Sequence, residues 1–518
     1  MAAGIVASTL RRRTLRHKSP FEAKYAIVDP SAPSPTGSHP PSRSPSFMRA
    51  SSLSRSPSGH SGHRSPKWTR LCYQDFWPHC LNPAEQNLKL VEFETFDTLI
   101  PKANAWLAEN ADVHLLKCET IEKKITSADD VLSDSPMFVA RGNYALYIKG
   151  LRLWYIRDKY FRLWYIRDKE GSRNSLSNGP TPVEVGYMNV IPKCLDASDK
   201  YPIFENLPET YAAVNDYLSE SPLEGKILTI ETVALKLPRR YWKGPEVDPD
   251  QTYFPDEYLR HVLYITRIYF IAGNPEDELI GAHDFLPDFI DTSKWYRIYE
   301  IFPRYKGLGS AMQKAKAWMI HASKVRVTNI QTLEAVYKGN AEDVLTGVNF
   351  VDKVESTPMI RFVRVTFVRP PEKTTTEEGS EHSSPVGYHS PRSFSYKTFI
   401  PCACKVGMCS GAPEYENFSH TWERARAWLK MVDKRVISAE TFYHPVSRIW
   451  HSQDGGETTV MNGEWTSQQR DETRRRRRRD LVHVVRVYLD GDYTEPPHTH
   501  LPAQPRVEEI NDCCCSIQ

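Results

Sequence analysis

The chain has 518 residues, a formal net charge of +3, 25% charged residues and 40% hydrophobic residues. Its length predicts three or four domains, and its small net charge excludes a global polarity that would steer it to an oppositely charged partner. No apolar run reaches the length of a membrane-spanning helix, the N-terminus has no secretory core with a cleavage site, and the 10 irregularly clustered cysteines fit a reducing, cytosolic-face environment better than a disulfide framework.

Residues 1–70 read as a disordered, basic, Ser/Pro-rich tail. They carry 12 Lys and Arg against only Glu22 and Asp29, and few of them belong in a core. Ser-Pro pairs at Ser19, Ser34, Ser44, Ser56 and Ser65 suit proline-directed kinases, whose phosphates would reduce the positive charge.

From there one pattern is spelled four times. An aromatic residue stands 14 positions before a Leu or Met: Phe93 and Leu107, Phe204 and Leu218, Tyr305 and Met319, Tyr415 and Leu429. Between them lie apolar residues at helical spacing, such as Phe96, Leu99, Ile100, Ala103 and Leu107, so each window predicts a one-sided helix of about three turns. Thr95, Asn206, Gly307 and Asn417 precede these helices as N-cap residue types. Pro101 falls inside the first helix and should kink it or delay its start.

A β-rich run follows each helix and contains Cys118-Glu119-Thr120, Ile230-Glu231-Thr232, Ile330-Gln331-Thr332 or Ala439-Glu440-Thr441. A second β-rich run closes each window and carries Arg152, Arg267, Arg364 or Arg486. Leu88 to Phe93 and Trp295 to Ile301 suggest leading strands. The fold class expected is α+β: four tandem copies of a β-α-β-β module with a helix on a small antiparallel sheet. Their bounds are 86–170, 201–273, 295–370 and 413–491, and each copy should bury its apolar stripe within itself. The recurring Glu119, Arg152, Glu231, Arg267, Arg364, Glu440 and Arg486 have two readings. One is a cross-strand ion pair or solvated face; the other is a row of ligand contacts on the open sheet face. Gln331 breaks the charge pattern, which argues against a shared acid catalyst.

Residues 152–159 and 162–169 are identical, and one strand position cannot hold both, so the segment is a hairpin extension or one copy is looped out. Residues 171–200, 274–294 and 371–410 read as linkers. Cys402, Cys404 and Cys409 could hold zinc only with a fourth ligand, and their spacing is not that of a known finger; no metal or cofactor is expected. Arg474, Arg475, Arg476, Arg477, Arg478 and Arg479 form a run inside the fourth copy. It is either a solvated loop or a contact for anionic lipid or nucleic-acid phosphates. Residues 492–518 form a tether that ends Cys513-Cys514-Cys515-Ser516-Ile517-Gln518. Cys515 fits a prenylation box with a Gln terminus that favours farnesyl. Cys513 and Cys514 stand where palmitate would supply the second lipid that stable anchoring needs.

In the third window, Arg304-Tyr305-Lys306-Gly307-Leu308-Gly309-Ser310 resembles the phosphate-binding turn of acetyltransferases related to the histone acetylases. The resemblance covers about 50 residues and implies that the backbone N–H groups of Gly307 and Gly309 would hold the pyrophosphate of acetyl-CoA. The corresponding positions of the second and fourth windows carry no glycines. No nucleophile elbow, Walker loop, zinc-protease motif or dinucleotide fingerprint is present. The expectation is therefore a non-enzymatic adaptor, tethered to a membrane by its lipid and binding protein or peptide ligands. The alternatives are a nucleic-acid binder using the arginine run and an acetyl-CoA-dependent acyltransferase.

Overall fold

The structure is a computed structural model that describes residues 71–83, 90–125, 127–132, 134, 137–138, 146–157, 183–197, 202–237, 247–255, 261–294, 301–322, 325–337, 344, 346–352, 358–371, 393–407, 414–447, 460–462, 479–505 and 508–510. All of these belong to one compact unit. The basic tail, the second copy of the 152–159 doubling and the terminal cysteines lie outside the described residues.

The described chain is mixed α+β, with mostly antiparallel strands in small sheets. In the first segment β1 (Leu71–Phe76) leads through a bridge between Cys80 and Phe93 to α1 (Leu99–Glu109), β2 (Val113–Ile125), the short β3 (Met137–Phe138) and β4 (Leu146–Arg157). The second segment has β5 (Val185–Val190), β6 (Cys194–Asp196), β7 (Ile203–Phe204), α2 (Leu207–Glu220), β8 (Gly225–Leu237), β9 (Tyr253–Pro255) and β10 (His261–Ala272). The third has β11 (Leu279–Phe285), β12 (Phe289–Lys294), β13 (Ile301–Tyr305), α3 (Leu308–His321), β14 (Arg326–Val336), β15 (Phe350–Asp352) and β16 (Pro358–Arg369). The fourth has β17 (Phe394–Phe399), β18 (Ala403–Gly407), β19 (Glu414–Tyr415), α4 (Phe418–Val432), β20 (Arg435–Ser447), β21 (Val460–Asn462) and β22 (Arg479–Asp490), and β23 (Glu508–Ile510) follows it.

Four sheets share one path: β1-β4-β2, β5-β10-β8, β11-β16-β14 and β17-β22-β20. The last strand of each segment lies in the middle, and the strand after the helix lies at the edge. The leading strands are not where the sequence suggested. Phe93 and Ile301 belong to the hairpin that precedes the helix, and the true leading strands β5, β11 and β17 lie in stretches that read as linkers. Asn189, Asp284 and Thr398 on these strands, like Asp75 on β1, are polar residues each paired across to an Arg, and this breaks the alternation that would mark a strand.

Helix entry follows local chemistry. Asn206 and Glu209 make a reciprocal capping box at α2, which satisfies two free N–H groups at once. At the first helix, residues 96–98 form a 3-10 turn and the α-helix starts at Leu99, so Pro101 falls in its first turn, where a missing N–H costs nothing. Other helix starts are completed from the next segment: the N–H groups of Phe96, Leu207 and Phe418 donate to the carbonyls of Asp250, Gly347 and Asp134.

The apolar stripes are not buried within single segments. Beyond its own sheet, α1 packs with Val185 and Tyr269, α2 with Ile280 and Val368, α3 with Phe394 and Tyr488, and α4 with Leu71, Trp154 and Ile156. Each sheet therefore has one face under its own helix and the other against a neighbour's core. Short arms cross the same boundaries: β9 adds to β4, β15 to β10, β21 to β16 and β3 to β22. The edge strands β2, β8, β14 and β20 touch in sequence, and β20 returns to β2, so the contacts close on themselves.

Candidate functional site

The closed seam is built from the Glu-Thr and Arg positions that stand out in the sequence. In each sheet the acid or amide and the arginine are cross-strand partners: Glu119 with Arg152, Glu231 with Arg267, Gln331 with Arg364, and Glu440 with Arg486. Both reach the threonine of the preceding segment. The Thr441 N–H donates to Glu119 at 2.6 Å, and Arg152 donates to the Thr441 hydroxyl at 2.7 Å. Thr120 donates to Glu231 at 3.0 Å and receives Arg267 at 3.0 Å. Thr232 donates to Gln331 at 2.8 Å and receives Arg364 at 3.0 Å. Thr332 donates to Glu440 at 2.6 Å and receives Arg486 at 2.6 Å.

An edge strand leaves backbone N–H groups open to pairing with another chain, and burying them without an acceptor is costly. Here a neighbour's side chain supplies that acceptor, so one sheet is locked against the next instead of extending it. A β-bulge prepares the crossing. The register slips around Leu116, Leu228, Thr328 and Ile437, each three residues before the Glu or Gln. A bulge bends the strand and re-aims its side chains, and Leu116, Leu228 and Ile437 pack on the preceding segment's core.

The arginines are held from behind by the leading strands. Asp75 and Asp284 accept in bidentate fashion from Arg152 and Arg364, with distances of 2.6–2.7 Å. Asn189 accepts from Arg267 at 2.7 Å and Thr398 from Arg486 at 2.8 Å. The guanidinium groups also lie on the first helical aromatic of a neighbour: Arg152 over Phe418 at 4.5 Å and Arg267 over Phe96 at 3.8 Å, a favourable cation–π geometry. Around the acids, Trp154 donates to Glu119 at 2.6 Å and the Tyr488 hydroxyl to Glu440. In the third segment Gln331 replaces the acid, and Thr366, which donates to the Ile230 carbonyl at 2.8 Å, stands where the others have an aromatic. Acid and aromatic are absent together. Burial pushes the Glu119 carboxyl above its ordinary range against the pull of Lys117 and Arg152, and Lys117 donates to the Ala439 carbonyl at 2.6 Å.

A second polar knot lies further along the same strands. Glu122 binds Lys149 at 3.1 Å and also Lys236; burial raises its pKa, but the two ammonium groups prevail and hold it at about 2. His483 lies on the Tyr443 ring, 4.1 Å between centroids. Burial, reinforced by Arg152 and Lys123, depresses its pKa to about 3, so it is neutral at physiological pH.

A ligand row on an open sheet face needs side chains in contact with solvent. Glu119, Arg152, Glu231, Arg267, Arg364, Glu440 and Arg486 are all at most 5% exposed, because the neighbouring segment covers that face. The expected cross-strand Glu–Arg pairing is present in the register, but it is interior and serves a joint between segments. The threonines carry the other half of the joint. Sequence reasoning passed over them, although Thr recurs at all four positions where the acid does not.

Elsewhere, Arg479 opens β22 opposite Ser447, while residues 474–478, Cys409, Cys513, Cys514 and Cys515 lie outside the described residues. Burial, opposed by Arg424, pushes the Cys402 thiol up to about 11, and among the described residues no group of His, Cys, Asp or Glu is placed to hold a metal. Gly307 is the N-cap residue of α3. The Asp288 carboxylate stands near that turn, bound to Lys306 and Lys314, whose hydrogen bonds lower its pKa.

The hairpins before the helices carry a feature that no periodicity revealed. The bonds Glu94 N–H to His79, Glu205 N–H to Lys193, Lys306 N–H to Asp288 and Glu416 N–H to Cys402 fix a common register. Two residues beyond each acceptor stand Leu81, Leu195, Ile290 and Cys404. The three aliphatics are 59%, 56% and 48% exposed. Leu195, Ile290 and Cys404 are each the extra residue of a bulge. Comparison of the chain with protein-family models, curated proteins and solved structures gave no match.

Proposed function

We propose that the chain is a non-enzymatic adaptor built from four copies of one β-α-β-β module, closed into a ring and tethered to the cytoplasmic face of a membrane by lipid on Cys515, with Cys514 and Cys513 as sites for a second chain. The observation that supports an adaptor best is the set of exposed aliphatics at matching hairpin positions, Leu81, Leu195 and Ile290, on a frame whose internal charges are engaged at its seams. Several equivalent contact points on one chain raise avidity for a protein or peptide partner without new contacts. The shared strand path, the shared bulge and the shared Thr contact support the fourfold copying. The tether rests on the sequence of the last six residues and on the need for two lipid signals for stable anchoring.

Intact-mass measurement of the C-terminal peptide from native cells tests the tether: added isoprenoid mass and loss of the last three residues are expected. Cys515→Ser should move the protein from membranes to the cytosol. Unchanged partitioning with an unmodified Cys515 would refute the tether.

A further inference from the structure

Among the described residues, the fourth hairpin differs from the others in having a third strand paired to it. The outer edge of β18 is taken by β23, which runs parallel to it and pairs Lys405 with Glu508, Val406 with Glu509, and Gly407 with Ile510. An extended segment is thus added to the hairpin by main-chain pairing, the mode by which many domains capture peptides at a sheet edge. The third hairpin has the same construction. Phe289 pairs with Tyr305 as Ala403 pairs with Tyr415, a bulge follows in each, and Asp291 then pairs with Arg304 as Lys405 pairs with Glu414. Among the described residues, β12 has β13 as its only strand neighbour, and Phe289 and Ile290 are exposed beside that free edge.

The charges are reversed between the two hairpins. Lys405 forms an ion pair with Glu414 at 3.6 Å and is in register with Glu508 of the added strand, whereas Asp291 is paired with Arg304 at 3.1 Å. An acidic strand such as β23 would set like charges opposite each other at Asp291, which is destabilising.

We propose that the free edge of β12 is a docking site for an extended segment of a protein partner, paired in parallel with Asp291, Thr292 and Ser293, with a Lys or Arg opposite Asp291 and an aliphatic residue opposite Ser293. The site rests on the adaptor function proposed above and names the chemistry of its ligand. The second hairpin has Asp196 at the corresponding position, so one partner with two such segments would gain by avidity.

The test is a fluorescence-anisotropy titration of the full chain with two labelled heptapeptides. One has the sequence of residues 504–510; the other is the same peptide with Glu508→Lys. The native chain is expected to bind the lysine peptide at least ten-fold more tightly than the acidic one. Asp291→Lys should invert that preference, a gain of binding that misfolding cannot mimic. Thr292→Pro, which removes one backbone donor from β12, should weaken the lysine peptide at least ten-fold while circular dichroism stays unchanged. No binding of the lysine peptide, or a preference that Asp291→Lys does not alter, would overturn the proposal. A concentration-dependent dimer of the native chain that Asp291→Lys abolishes would also overturn it, by assigning the edge to a second copy. None of these results depends on Cys515, so this site and the membrane tether fail separately.

Discussion

Removing one acid from the seam gives a cost that the geometry fixes in rank. Glu440 accepts from the Thr332 N–H and hydroxyl, each at 2.6 Å, from Arg486 at 3.4 Å and from the Tyr488 hydroxyl. Glu440→Ala leaves buried donors without this acceptor at about 1–3 kcal/mol each and takes a carboxylate from a buried guanidinium, for which about 3–5 kcal/mol is typical. The two estimates describe the same loss and are not added, so about 3–5 kcal/mol is expected. Glu440→Gln keeps an acceptor oxygen but turns an amide N–H₂ toward donors, for about 1–2 kcal/mol. Among the described residues Gln331 makes two neutral bonds to Thr232, one at 2.8 Å and one at 3.4 Å, so Gln331→Ala should cost about 1–2 kcal/mol. Urea unfolding of the full chain, followed by circular dichroism at pH 7, should rank Glu440→Ala well above Gln331→Ala, with Glu440→Gln well below Glu440→Ala. A Gln331→Ala cost equal to that of Glu440→Ala would refute the claim that the carboxylate carries the joint.

Other outcomes follow from the same structure. Gln331→Glu should destabilise by about 1–3 kcal/mol, because it sets a carboxylate against the Thr232 carbonyl; Thr366→Tyr should recover part of that loss, read as a favourable coupling in a double-mutant cycle. The folded pKa of His483 is depressed to about 3 from 6.5, so its contribution is intact above pH 6.5 and is lost as pH falls toward 3. Glu122, held at about 2 from 4.5, adds a loss between pH 4.5 and 2. The urea midpoint should therefore fall on acidification from pH 6.5, and His483→Phe should flatten the first part of that fall. Gly186→Ala would place a Cβ 2.3 Å from the Phe270 ring, and a loss of about 1–3 kcal/mol in the urea curve is expected from this overpacking.

The helices and the strands after them were legible because one face of each is apolar at a regular period, as in Leu207, Tyr211, Val214 and Leu218. The leading strands were hidden for the opposite reason. Asp75, Asn189 and Asp284 face buried arginines, so their strands carry polar residues toward the interior and resemble linkers. The recurring Glu and Arg marked the site, but their setting depends on which neighbour covers the sheet, and that contact spans 111 residues between Thr120 and Glu231 and 322 between Glu119 and Thr441. Sequence periodicity carries no information at that range. It also reports nothing about shared cores such as Trp154 of the first segment packed with Trp422 of the fourth. The hairpin aliphatics were missed because a single exposed Leu or Ile has no pattern until the hairpin register aligns it with its counterparts.

Closure of the ring rests on the joint between the first and last segments, and hydrogen exchange reads that joint directly. The Thr441 amide donates to Glu119, so in Glu119→Ala the peptide spanning residues 436–444 should lose protection, and lose more than the peptide spanning residues 326–336, which belongs to the joints on either side of the third segment. Unchanged protection at 436–444 in a folded Glu119→Ala protein would mean that the first and fourth sheets are not joined, and the closed arrangement would be wrong.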